Sequence, residues 1–237
     1  MRRYDTILFD MDDTLFDFHR SEREALQKTL LRRGLEPTAQ RLDRYREISE
    51  ALWRGFERGE VTAEWLVVER FAQFARELGC DADPAAWNRE HAEGIGRESW
   101  LMPGAEKLCR SLFAAGCRLA IVTNGMGISQ RGRLASSPIA PLISGLFVSH
   151  DLGVRKPETA YFQAVLHGLG NPDRSRTVIV GDGLPSDIQG GLNAGIDSIW
   201  FNPRGEENTT GIHPSEQARS LEEVGRIILY QTEPYPF

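Results

Sequence analysis

Apolar residues follow two different rhythms along the chain. Five short runs are rich in β-branched or aromatic residues and nearly continuous in apolarity: Thr6-Ile7-Leu8-Phe9, Leu119-Ala120-Ile121-Val122, Leu146-Phe147-Val148-Ser149, Thr177-Val178-Ile179-Val180 and Ser198-Ile199-Trp200-Phe201. Continuous rather than alternating runs suit parallel strands buried on both faces. Helix-length segments separate them: residues 105–115 before the second run, 158–169 (after Pro157) before the fourth, and 188–194, closed by Gly195, before the fifth. Strands alternating with helices predict an α/β fold, a Rossmann-like parallel sheet with helices on both faces.

The second rhythm occupies residues 16–100. No comparable strand run occurs there, and apolar residues recur at helical spacing: Leu26, Leu30 and Leu31; Ile48, Leu52 and Phe56; Leu66, Phe71, Phe74 and Leu78. Breaks fall at 34–37, at Gly59 and at 79–84. This pattern predicts an all-helical insert after the first strand, with residues 1–15 and 101–237 forming the α/β core. Trp53, Phe56, Trp65, Phe71 and Phe74 share the helical spacing and read first as the interior of the insert. The end of the chain, 232–237 with two prolines, reads as a loosely held tail.

Composition narrows the class. The chain has 237 residues, 41% hydrophobic and 26% charged, enough to bury a core with a smaller insert. Its formal charge of −6 argues against a nucleic-acid polymer as partner. Apolar stretches such as 119–122 are far short of the ~20 residues a membrane helix needs. The opening Met1-Arg2-Arg3-Tyr4-Asp5 meets a carboxylate too early for a secretory signal. Cys80, Cys109 and Cys117 are odd in number and lack C-x-x-C spacing, which predicts reduced thiols and a cytoplasmic location. Of 28 basic residues only Lys28, Lys107 and Lys156 are lysines. In so Arg-rich a chain, a retained Lys suggests a place for a compact ammonium.

Polar clusters follow four of the predicted strands. The first runs into Asp10-Met11-Asp12-Asp13-Thr14, where Asp10 and Asp12, two apart in extended chain, point the same way. Converging carboxylates call for a cation or a shared proton, or else the turn is merely solvated. The second strand ends in Thr123-Asn124-Gly125, a neutral cradle suited to phosphate oxygens or an ordinary turn. Lys156 precedes Pro157, which at a helix start would place its charge where anions gather; the alternative is a solvated surface lysine. The fourth strand leads into Gly181-Asp182-Gly183-Leu184-Pro185-Ser186-Asp187, in which Asp187 could simply cap the following helix. Four such clusters at the carboxyl ends of a parallel sheet together describe an Mg²⁺-dependent phosphoryl-transfer site: hard oxygen ligands, a Lys counter-charge and a neutral cradle.

The set D-x-D-x-T at 10–14, Thr123, Lys156 before Pro157 and G-D-x-x-x-x-D at 181–187, in that order, resembles the haloacid dehalogenase-like hydrolases over nearly the whole chain. The resemblance implies Asp10 as nucleophile forming an aspartyl-phosphate and Asp12 as general acid, then base. It implies Thr123, Asn124 and Lys156 as phosphate-binding residues. Mg²⁺ would be held by the Asp10 carboxylate, the Asp12 backbone carbonyl and Asp182, with Asp187 behind them. The insert at 16–100 would be the family's mobile cap. Leu52-Trp53, 59–62, Arg70-Phe71, Gln130 with Arg133-Leu134, 170–176, and Trp200 with Asn202 are similar to the pyrimidine 5′-nucleotidase subgroup, implying a small pyrimidine nucleotide as substrate. Two stretches depart from that pattern, the apolar Gly183-Leu184-Pro185 and the segment 136–145 with Pro138 and Pro141. A phosphatase or phosphomutase acting on a sugar phosphate keeps the same residues. A carbon–halogen hydrolase needs neither Asp12 nor Asp182, and a non-catalytic phosphate-binding module would be expected to show a broken motif.

Overall fold

The computed structural model describes residues 2–230; the expected tail at 232–237 lies outside them. The chain divides into two compact units, Met1–Phe18 with Trp100–Phe237, and His19–Ser99.

In the first unit, a six-stranded sheet is built from β1 (Thr6–Phe9), β2 (Arg118–Thr123), β3 (Ile143–Val148), β4 (Thr177–Gly181), β5 (Asp197–Phe201) and β6 (Glu216–Ala218). Its order is β3-β2-β1-β4-β5-β6, and every neighbouring pair is parallel. β1, β2, β4 and β5 are buried nearly throughout, as their continuous apolar runs require. β3 departs from that expectation: it lies at the sheet edge, is only half-buried, and gives up Ser149 to a short helix. β6 has no strand signature in Glu-Gln-Ala and is held by pairing to β5. The chain runs one way from β1 through β2 to β3 and the other way from β4 to β6. The topological switch point, where open sheets bind ligands, is therefore at β1 and β4. Register levels the strand ends, since Phe9 faces both Ile121 and Val180.

Two apolar layers cover the sheet. One gathers Ile7, Phe9, Leu119, Ile121, Val178 and Val180 with helices α5 (Ala105–Ala114) and α10 (Leu221–Leu229). The other gathers Leu8, Ala120, Val122 and Ile179 with Tyr161, Phe162 and Val165 of α8 (Thr159–Gly168). Helix α8 starts two residues after Pro157, which sits in a turn rather than at the helix start.

The second unit is all-helical: α1 (Phe18–Leu31), entering from the first unit, then α2 (Ala39–Glu57), α3 (Ala63–Leu78) and α4 (Pro84–Gly96). Thr38, Thr62 and Asp83 cap α2, α3 and α4 by accepting backbone N–H groups. Leu26, Leu30, Tyr45, Ile48, Phe71 and Phe74 form its interior. Two positions of the predicted stripe point elsewhere: Leu31 is 61% exposed and Trp65 48%. Among the described residues, no helix is long and apolar enough to cross a membrane, and all three cysteines are free.

Candidate active site

Asp10 follows the buried strand β1 and is tied to the neighbouring β4 by its N–H, which donates to the Val180 carbonyl (2.8 Å). The Lys156 ammonium donates to Asp10 Oδ1 (2.5 Å), Asp187 Oδ1 (2.7 Å) and the Val122 carbonyl (3.2 Å). All three of its protons are thereby used, in three directions that a planar guanidinium could not serve. The solvated-lysine alternative fails, because this side chain is 2% exposed. Burial alone would push Lys156 down, but Asp10 and Asp187 reverse the effect and hold it above the ordinary lysine range. Burial pushes Asp10 up to about 8, against the pull of Lys156 and with the help of Asp187 and Asp12.

Asp182 follows β4, and its carboxylate accepts from the Thr14 hydroxyl (3.3 Å). Its carbonyl takes the Trp200 indole N–H (2.9 Å), which pins the loop. Burial, then Asp10 and Asp187, raise Asp182 well above the usual carboxylate range. Asp187 caps no helix. It lies inside a π-turn, Leu184–Ile188, ahead of α9 (Gln189–Ala194), accepting from Lys156 and from the Gly183 N–H (3.1 Å). Gly181 leaves the room this needs, since a Cβ there would overlap the Asp187 carboxylate. The apolar Leu184 packs with Ile188 and Trp200 under the same loop.

Oxygens of Asp10, Asp182 and Asp187 lie within 4.8 Å of one another. Lys156 pairs with two of the three carboxylates, Asp10 and Asp187; burial first, and then the neighbouring carboxylates, raise Asp10 and Asp182. A hard divalent cation fits this donor set in charge and ligand type.

Thr123 Oγ1 accepts from the Gly125 N–H (3.0 Å) and from Gln130 Nε2 (2.9 Å). With its acceptor sites filled, its hydroxyl proton is left to donate, the polarity a phosphate oxygen needs. Asn124 is placed differently from the expectation. Its amide is spent on the backbone of Lys156, donating to the carbonyl and accepting from the N–H, both at 3.0 Å. The side chain splints the cradle to the lysine turn rather than facing an anion. Asp12 is held through both oxygens, Oδ2 by Gln130 Nε2 (2.8 Å) and Oδ1 by Arg133. Tyr161 accepts from the Thr123 N–H (2.9 Å) and donates to the Phe147 carbonyl (2.8 Å), joining the ends of β2 and β3. In the sequence Gln130 and Arg133 stand out by resemblance only, without a role, and Tyr161 carries no signal beyond an apolar helical position.

Comparison with known proteins identifies the family. Residues 4–195 match the model of a hydrolase family, the haloacid dehalogenase-like hydrolases. The chain is 36% identical over 228 residues to the HAD-hydrolase YfnB of Bacillus subtilis, covering 96% of this chain and 97% of that one. It is 32% identical over 221 residues to the pyrimidine 5′-nucleotidase PynA of Streptococcus pneumoniae, covering 93% of each. The pyrimidine 5′-nucleotidase YjjG of Escherichia coli is 32% identical over 226 residues, covering 95% of this chain and 98% of that one. The crystal structure of YfnB bound to magnesium matches with a TM-score of 0.89 at 35% identity, covering 96% of this chain and 99% of that one.

Proposed function

This chain belongs to the haloacid dehalogenase-like hydrolases and is a phosphatase of that family, and on that premise we propose that it removes the 5′-phosphate of pyrimidine nucleoside monophosphates through an aspartyl-phosphate on Asp10. One observation carries the chemistry: the Lys156 ammonium is shared between Asp10 and Asp187 beside Asp182, at the end of β1. A carboxylate so held is aimed and charge-compensated without losing its second oxygen to the same partner.

In this reading an Asp10 oxygen forms a bond to phosphorus as the bond to the nucleoside oxygen breaks, and Asp12 gives that oxygen its proton. A water then attacks the same phosphorus, yields its proton to Asp12 and frees Asp10. The Thr123 hydroxyl and Lys156 hold the phosphate throughout. The Asp10 carboxylate, the Asp12 backbone carbonyl and Asp182, with Asp187 behind them, would hold Mg²⁺, which would supply the positive charge that lets a carboxylate meet an anionic phosphate. The helical unit at 19–99 acts as the cap that excludes bulk water and selects the leaving group. A purine adds a fused ring to what such a cap must enclose, whereas a small change on a pyrimidine is harder to reject.

The test is kcat/KM for dUMP, dTMP, AMP, GMP and a hexose phosphate in one buffer, with Mg²⁺ and with chelator, for the parent and for Asp10→Asn. We expect pyrimidine over purine by roughly ten- to two-hundredfold. Turnover should be at background with chelator or with Asp10→Asn. A hexose phosphate that outruns dUMP removes the pyrimidine assignment, and near-normal turnover by Asp10→Asn removes the covalent scheme.

A further inference from the structure

Arg133 lies on α6 (Gly127–Ala135), the helix that follows the Thr123 turn, and its side chain is completely buried. Its Nη2 donates to Asp12 Oδ1 and to Gln130 Oε1, while Nε and Nη1 have no hydrogen-bond partner among the described residues. The guanidinium carbon lies 5.6 Å from the ring centre of Phe16 and 5.5 Å from that of Phe18. As a stability device this is a poor choice. A buried guanidinium with unfilled donors loses solvation that one carboxylate does not return, and an apolar side chain of similar size would serve the core as well. Local rules broken in this way concentrate at functional sites.

The contacts show what the arginine does. Because Gln130 Oε1 accepts from Arg133, Gln130 Nε2 is turned the other way, with one proton on Asp12 Oδ2 (2.8 Å) and the other on Thr123 Oγ1 (2.9 Å). Gly125 keeps this path open, since a Cβ there would overlap the Gln130 amide. The position of Asp12 relative to the Thr123 hydroxyl is therefore set by two side chains one helical turn apart.

We propose that Arg133, acting directly and through Gln130, is a positioning residue that holds the Asp12 carboxylate for proton transfer to and from the scissile oxygen. The inference rests on the phosphatase reading and adds to it the residues that orient the acid. A misplaced acid harms esters that need protonation of the leaving group far more than esters that do not.

The experiment compares a poor leaving group, dUMP, with a good one, 4-nitrophenyl phosphate, for Arg133→Met, Arg133→Lys, Asp12→Ala and Asp12→Ala/Arg133→Met. Arg133→Met is expected to lower kcat on dUMP by about a hundredfold, with KM little changed. The loss on the aryl ester should be at least tenfold smaller, with partial recovery in Arg133→Lys. The double variant should be no slower than Asp12→Ala alone. Gln130→Met, which leaves the Arg133–Asp12 pair, should show the same pattern at smaller size and carries the test if Arg133→Met does not fold. Equal losses on the two esters, or a double variant slowed further by the full Arg133→Met factor, overturn the proposal while leaving the phosphatase reading intact. A parent protein inert toward both esters removes that reading and this inference with it.

Discussion

Asp10, Asp182 and Asp187 lie close together, Lys156 pairs with Asp10 and Asp187, and the burial of this cluster has a measurable consequence. An aspartate whose usual pKa is 3.8 and whose folded value is about 8 keeps its proton in the native state over a range where the unfolded chain has lost it. The folded state then binds more protons than the unfolded one, so this group makes metal-free stability fall as pH rises from about 4 to 8, flattening above. Asp182, raised by burial and the same neighbours, acts with the same sign. Thermal melts in chelator should therefore show Tm falling between pH 6 and pH 8, with a shallower fall in Asp10→Asn. Saturating Mg²⁺ should raise Tm at pH 8, by a linkage of about 2.7 kcal/mol at a hundred times Kd. Asp182→Asn should lose most of that rise. A Tm indifferent to Mg²⁺ in the parent would refute the cation reading of the cluster.

Among the elements, the edge of the sheet shows how packing overrides weak local signals. β6 is three residues, Glu216–Ala218, with no apolar run, yet it is fixed between β5 and helix α10. Helix α10 buries Leu221, Val224 and Ile228 against the layer that supports β1. Its start is secured by Ser220, whose hydroxyl accepts from the Glu223 N–H (3.2 Å), while the Glu223 carboxylate accepts from the Arg219 N–H (2.6 Å). Ser220→Ala should cost about 1 kcal/mol, lowering Tm by roughly 2–4 °C, with kcat and KM unchanged. Calorimetry and one kinetic run check both halves. A change in kcat would mean that α10 is coupled to the site rather than only supporting the sheet. The five longer strands are legible because each carries its own apolar run; the run in β3 predicts full burial, but the strand is only half-buried, because position at the sheet edge is not written in its composition.

For the molecule as a whole, the chain leaves and re-enters the α/β unit at one place. Phe16 bridges Leu101 in antiparallel fashion, the Asp17 N–H donates to the Trp100 carbonyl (2.9 Å), and the Met102 N–H donates to the Leu15 carbonyl (2.9 Å). The helical unit has its own apolar interior of Leu26, Tyr45, Phe71 and Phe74. Two units with separate cores and a paired crossing can be cut apart. Replacing 19–99 by a short Gly-Ser linker should leave a folded protein that hydrolyses 4-nitrophenyl phosphate slowly with Mg²⁺ but lacks the preference for dUMP over AMP proposed for the parent. Circular dichroism and the two kcat/KM values test this. A preference that survives the excision would place substrate selection in the α/β unit.

The sequence alone determined what is local. Strands β1, β2, β4 and β5, the breaks between α1, α2 and α3, and the polar residues at four strand ends all follow from short-range rules. A buried parallel strand must be apolar over a few consecutive residues, and chemistry in such a sheet collects immediately after it. Asp10, Asp12, Thr123, Lys156 and Asp182 were visible for that reason. Only the tertiary structure decided which of these groups touch. Lys156 reaches Asp10 across 146 positions, Arg133 reaches Asp12 across 121, and Asn124 turns to the Lys156 backbone across 32. No local pattern distinguishes an asparagine that will face a phosphate from one that will splint two loops. Asp187 was likewise as good a helix cap as a site residue until Gly181 and the π-turn placed its carboxylate under Lys156. Register and crossover order bring distant strand ends to one level, so the partners of a charged side chain are a property of the folded sheet.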